Sequence, residues 1–284
     1  MDPSSLASLS PRSVAAFALL SPASTITSLV VFAMASLTFF VGILLAVFIF
    51  MALLILRLWE KYFSETPRWL VLMGLAFAGL VNPMLYILIE ARIYEAAIIS
   101  GQFFLIGGLY WLITSFNHPS NIRLALSGLF FVLAVGSRTT LIPAVAILSL
   151  ILLIWALKTQ KEKALVIVTS FALPLMIGAV SYGLYNYTRF DSFTEFGLRY
   201  QLTSYNLQKD LDKTFSTAYI PPNLYKTLFN PLEWRKSFPH LFPTRWDGPN
   251  WLANRNYPDF YLLFAEGITG LFIASPFMVF AFLA

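Results

Sequence analysis

Residues 13–56 contain no Asp, Glu, Lys, Arg or His, and a second stretch, 124–157, contains a single charge at Arg138. Runs of that length leave too few ionisable side chains to cover a surface facing water. A bilayer reverses the requirement: about 20 apolar residues in a helix, rising 1.5 Å each, cross a hydrocarbon layer of roughly 30 Å. Every backbone polar group is then satisfied within the helix itself. The fold class expected is an all-α polytopic membrane protein. Composition agrees: 58% of the 284 residues are hydrophobic and 12% charged, about half the charge of a soluble domain. A soluble enzyme, a disordered chain and a coiled coil are excluded together. The net charge of +5 sits in short clusters between apolar runs, where topology determinants lie, so no nucleic-acid partner is expected. The absence of cysteine removes disulfides, thiolate metal sites and a thiol nucleophile.

Seven apolar stretches qualify as spans: 29–56, 69–89, 96–116, 124–136, 139–157, 164–187 and 267–284. The fourth is too short to cross alone. Asn82-Pro83, Pro143, Pro174 and Pro276 fall within these stretches, and membrane helices accommodate proline as kinks. The expected organisation is an N-terminal segment 1–28, a transmembrane bundle 29–187, an aromatic-rich loop 188–258 and a final helix 259–284. That helix is still apolar at Ala284, as a truncated one would be, so the chain is expected to be a fragment. Lys and Arg of short loops set orientation. Arg57, Lys61, Arg68, Arg123, Lys158, Lys161 and Lys163 stand against Arg92 and Arg138 in the alternate turns. Seven against two places the first group in the cytoplasm and the 188–258 loop outside. Within that loop Ile220-Pro221-Pro222-Asn223, followed by Leu224, Tyr225, Leu228 and Phe229, predicts a proline-started short helix with an apolar face.

Polar residues gather at the external ends of the predicted helices in three groups. Glu90, Arg92, Tyr94 and Glu95 form the first, either a solvated turn with an Arg92–Glu95 pair or a site, since Gln102 continues the Glu95 face inward by about 10 Å. Arg138 is the centre of the second. It lies fifteen residues from Arg123, about 22 Å along a helix, so a hairpin turn at Arg138 would sit below the membrane surface. Such an arginine either snorkels and caps carbonyls or binds an anion. The third group runs from Tyr182 through Tyr185, Asn186 and Arg189 to Asp191, Glu195 and Arg199. Its mixed charges fit a phosphate and a sugar hydroxyl as well as they fit a self-paired surface network. His118 and His240 are too isolated to hold a metal, and no cofactor motif occurs.

The strings VLAVGSRTTLIPA (132–144), YNYTRFDSFTEFGLRYQL (185–202) and ARIYEAAIISGQFF (91–104) resemble those of bacterial multi-span GT-C glycosyltransferase-like proteins, the superfamily of polyprenyl-phosphate-sugar mannosyltransferases. The resemblance covers roughly residue 69 to the end. It implies a hexosyltransferase of the bacterial inner membrane and cell envelope that moves a sugar from a polyprenyl-phosphate carrier to an acceptor at the external face, with inversion. It further implies that Glu95, Arg138, Tyr185, Arg189, Glu195 and Arg199 line the carrier side, with membrane lipid around them. In such enzymes the acidic base lies in a loop after a first membrane helix. Here Asp2 is the only acid before Glu60, so the base is expected to be missing and this chain alone inactive. A transporter or flippase, or a non-catalytic membrane scaffold, are the alternatives.

Overall fold

In a computed structural model of the chain, residues 22–80, 93–195, 197, 200, 216–237, 240–244, 267–276 and 278–279 are described. Helix predominates among them, and the chain divides into two compact units, 1–194 and 195–284.

The first unit contains helices α1 (Pro22–Tyr62), α2 (Arg68–Leu80), α3 (Ile93–Asn117), α4 (Asn121–Ser137), α5 (Ile142–Thr159) and α6 (Ala164–Phe190). Among the described residues, four helical segments are long and apolar enough to cross a membrane: Thr38–Tyr62, Tyr94–Asn117, Thr139–Thr159 and Lys161–Phe190. Arg68–Gly79 and Asn121–Ser137 are apolar but shorter. Their outer surfaces carry large apolar side chains, among them Leu45, Leu72, Ile147, Leu165 and Met176. A water-soluble monomer rarely exposes so much contiguous hydrocarbon. These are the properties of an integral membrane protein.

α1 is longer than the apolar run that predicts it. Proline is favoured at a helix start, and nothing after Leu56 breaks the helix until the turn at residues 63–67, where the Trp59 indole N–H donates to the Thr66 carbonyl at 3.1 Å. Pro143 does not interrupt a helix; it occupies the first turn of α5, where a missing N–H costs nothing. Pro174 lies inside α6, which continues through it. Asn82-Pro83 falls outside the described residues. Helical Ser and Thr hydroxyls return to carbonyls one turn back, as Ser115, Ser137, Ser149 and Ser181 do at 2.7–2.9 Å, so they cross the apolar layer without a partner elsewhere.

The core forms where α3, α4, α5 and α6 meet, around Leu112, Leu124, Phe131, Leu152, Ile167 and Phe171. α3 and α4 run antiparallel, joined by the buried Ser127 hydroxyl donating to the Gly108 carbonyl at 2.9 Å. Interhelical hydroxyl bonds of this kind and small residues at the seam hold membrane helices together. α4 and α6 run parallel, with Gly128 against the Phe171 backbone, Val132 against Gly178 and Gly136 against the Tyr182 hydroxyl. A smaller cluster of Phe40, Val47 and Ile99 packs α1 on α3, and Phe50, Phe103 and Phe130 meet in tilted and edge-on contacts, their ring centres 5.6–5.7 Å apart.

These directions place Arg57, Lys61, Arg123 and Lys163 at one end of the bundle and Tyr94, Arg138 and Arg189 at the other. If the basic end is cytoplasmic, a membrane-impermeant maleimide should label Ser204→Cys in intact cells and spare Thr159→Cys, with no native cysteine to confuse the result. The reverse pattern would sink the orientation.

In the second unit α7 (Ile220–Phe229) begins with prolines in its first turn, as its sequence predicts. It is followed by strands β1 (Leu232–Trp234) and β2 (Leu241–Pro243), paired antiparallel with Glu233 opposite Phe242. Asn230 ties the unit together: its Nδ2 donates to the Thr244 carbonyl and hydroxyl and to the Ile268 carbonyl at 2.7–3.0 Å. The long helix expected from residue 267 onward does not begin there. Residues 267–270 are non-helical, α8 (Leu271–Ala274) is a single turn, and Ser275 leaves it. The reason lies in the hydrogen bonds, since the Gly270 N–H donates to the Asn230 carbonyl at 2.8 Å and the Ile268 carbonyl is already taken.

Candidate functional site

α4 ends at Ser137, and Arg138 adopts an extended backbone, φ −148° and ψ 113°, before a 3-10 turn over Thr139–Leu141 starts the return through α5. The hairpin therefore turns at Arg138, and the helix before it has 17 residues, about 26 Å at 1.5 Å each. This is short of the hydrocarbon thickness. The Arg138 stem lies against Gly101 on α3. Its guanidinium donates to the Tyr94 hydroxyl at 2.8 Å and stands 4.6 Å from the centre of that ring. Tyr94 and Gly101, seven residues apart on one face, thus form a seat for the arginine: the glycine makes room for the stem and the tyrosine receives the head.

Arg189, in the last turn of α6, repeats the device. It donates to the Tyr185 hydroxyl at 2.8 Å, with its guanidinium 5.2 Å from the Tyr185 ring and 4.9 Å from that of Phe190. Asp191 ends the helix in a left-handed conformation, φ 51°, which Asp tolerates better than most residues. The chain then folds back so that Phe193 stacks on Tyr187 at 4.7 Å and accepts from the buried Asn186 at 3.5 Å.

Neither arginine is paired with a carboxylate among the described residues. Arg235 in the second unit shows the contrasting case. It makes two hydrogen bonds to Glu233, at 3.2 and 3.0 Å, and these hold the Glu233 carboxyl below the usual carboxylate range. A tyrosine hydroxyl orients a guanidinium without neutralising it, and the ring face adds a cation–π contact. Among the described residues, Arg138 and Arg189 are therefore oriented by tyrosines without being neutralised.

Glu95 sits in the first turn of α3, where the helix dipole favours negative charge. It shares the side of Ile98 and Ile99, which pack toward α1, and does not join Arg138 in an ion pair. Its Oε2 is buried without a hydrogen-bond partner. An acceptor buried in that way costs about 1–3 kcal/mol until a donor reaches it. Of the remaining candidates, Tyr185 is exposed beside Arg189, Glu195 belongs to the second unit, and Glu90, Arg92 and Arg199 lie outside the described residues.

At the opposite end of the bundle a cavity of about 210 Å³ is lined by Arg57, Lys61, Tyr110, Trp111, Thr114 and Arg123, among others. Sequence reading treats these cations only as topology signals. Their convergence depends on α1 and α3 running parallel and ending together, which no spacing in the sequence displays. No protein-family profile, curated protein or solved structure matches the chain.

Proposed function

We propose that the chain is a glycosyltransferase-like protein of a bacterial inner membrane that handles a polyprenyl-phosphate-linked sugar at the external face. One observation carries this reading: Arg138 and Arg189 stand at the same end of the bundle, each oriented by a tyrosine and met by no carboxylate among the described residues. In transfer from such a carrier the bond between the anomeric carbon and the phosphate oxygen breaks as the acceptor hydroxyl attacks, its proton passing to a base. Negative charge grows on the departing phosphate. A guanidinium fixed beside it in a low-dielectric site lowers the barrier. The unpartnered Glu95 oxygen is suited to accept a sugar hydroxyl.

The test is a flotation assay with the chain reconstituted in vesicles carrying radiolabelled polyprenyl-phosphate hexose or the matching polyprenol. Saturable retention of the phosphate form alone is expected. Equal retention of both would reduce recognition to the hydrocarbon tail and overturn the reading, and movement of label across the membrane without transfer would favour a flippase.

A further inference from the structure

The basic end of the bundle holds a second concentration of positive charge, remote from Arg138. Arg57 and Lys61 come from the end of α1, Tyr110, Trp111, Thr114 and Asn117 from the end of α3, His118 from the bend that follows it, and Arg123 from the first turn of α4. Arg57 reaches Glu60 at 3.1 Å on the exposed flank, and Lys61 lies 4.9 Å from the Tyr62 ring. Arg123 has no ion pair among the described residues. Three cations and one carboxylate leave a net positive charge beside a cavity of about 210 Å³, far above the roughly 10–15 Å³ that one water needs.

Depth distinguishes this cavity from a patch of surface lysines. Its mouth is ionic. Tyr110 lies seven residues before Asn117, where α3 ends, about 10 Å deeper along the helix, so the inner wall is aromatic. A phosphate with an apolar body attached meets both requirements, with the charge at the mouth and the hydrocarbon against Tyr110 and Trp111. Basic pockets between membrane helices at the cytoplasmic face are suited to anionic headgroups. We propose that this cavity binds a phosphate group, supplied by an anionic glycerophospholipid of the surrounding leaflet. The proposal is independent of any activity at the Arg138 end.

The full chain, purified in a neutral detergent, is titrated with short-chain phosphatidylglycerol and, separately, with inorganic phosphate. Bound ligand is counted by native mass spectrometry. Saturable binding of the lipid is expected, weakened about five-fold by the loss of each cavity charge in Arg123→Gln or Lys61→Gln and unchanged in Lys163→Gln, which removes a charge at the same end but outside the cavity. Arg123→Lys, which keeps the charge, should bind nearly as the parent does, and it serves if the glutamine variant does not fold. Displacement of the lipid by inorganic phosphate at comparable concentration would support the phosphate site while overturning the lipid as its source. Absence of saturable binding by the unaltered chain, or equal weakening in Lys163→Gln, overturns the proposal.

Discussion

Gly128→Ala should lower the melting temperature of the detergent-solubilised chain, although the same change in an open helix raises stability. Alanine gains about 1 kcal/mol over glycine in a helix interior, and at Gly42, where nothing lies within 4 Å of an added Cβ, that gain is expected in full. At Gly128 the added methyl would collide with the backbone carbonyl of Phe171. A flexible side chain could move aside, but a carbonyl held in the middle of α6 cannot. The helices must separate, and separation loosens the buried Phe131–Phe171 edge contact at 5.9 Å. It also disturbs the Ser127–Gly108 bond in the adjoining seam. Overpacking of this kind costs about 1–3 kcal/mol, more than the propensity gain, and leucine at the same position should exceed that range. Tryptophan-fluorescence melts of the Gly128 and Gly42 variants compare the two directly. A melting temperature at or above that of the parent in Gly128→Ala would show that α4 and α6 do not approach as described.

Arg138→Gln should reduce sugar transfer by about 10²–10³, the usual loss when one fixed donor to a developing negative charge is removed. This expectation rests on the proposed activity and is measured in the most complete form of the protein that turns over polyprenyl-phosphate sugar. Tyr94→Phe keeps the ring beneath the guanidinium and deletes only the hydroxyl, so a loss within about ten-fold is expected from one hydrogen bond. Arg138→Lys preserves charge but not the planar head that rests on Tyr94, and should fall between them. Arg235→Gln is the control, because that arginine is already neutralised by Glu233. If Arg138→Gln costs no more than Arg235→Gln, the arginine is a structural cap on the α4–α5 turn and the carrier-binding assignment fails.

Local features of the fold are legible in the sequence because they depend on neighbouring residues. Charge-free stretches give apolar helices, Pro221 and Pro222 announce α7, and the short distance from Arg123 to Arg138 predicts the turn that the structure places there. What escapes sequence reading depends on register between distant segments. Arg138 finds Tyr94, 44 residues away, rather than the neighbouring Glu95, because Gly101 shares the Tyr94 face and leaves space for the stem. The Asn230 node joins residues as far apart as 38, and that reach explains why an apolar run beginning at 267 does not start a long helix. The basic cavity is a third case, assembled from residues individually explained by membrane topology.

The parallel pairing of α4 with α6 imposes an order on how the bundle can be made. Gly128 and Phe171 are separated by the whole of α5, so the seam between them cannot close while the ribosome is still delivering residues 142–159. Until then α4 has its antiparallel contact with α3 and the Phe50–Phe130 ring contact with α1, and its 17 residues are at the short end of what crosses a bilayer. The turn bearing Arg138 is flanked by Gly136 against Tyr182, so the packing beside it is completed only by a helix synthesised later.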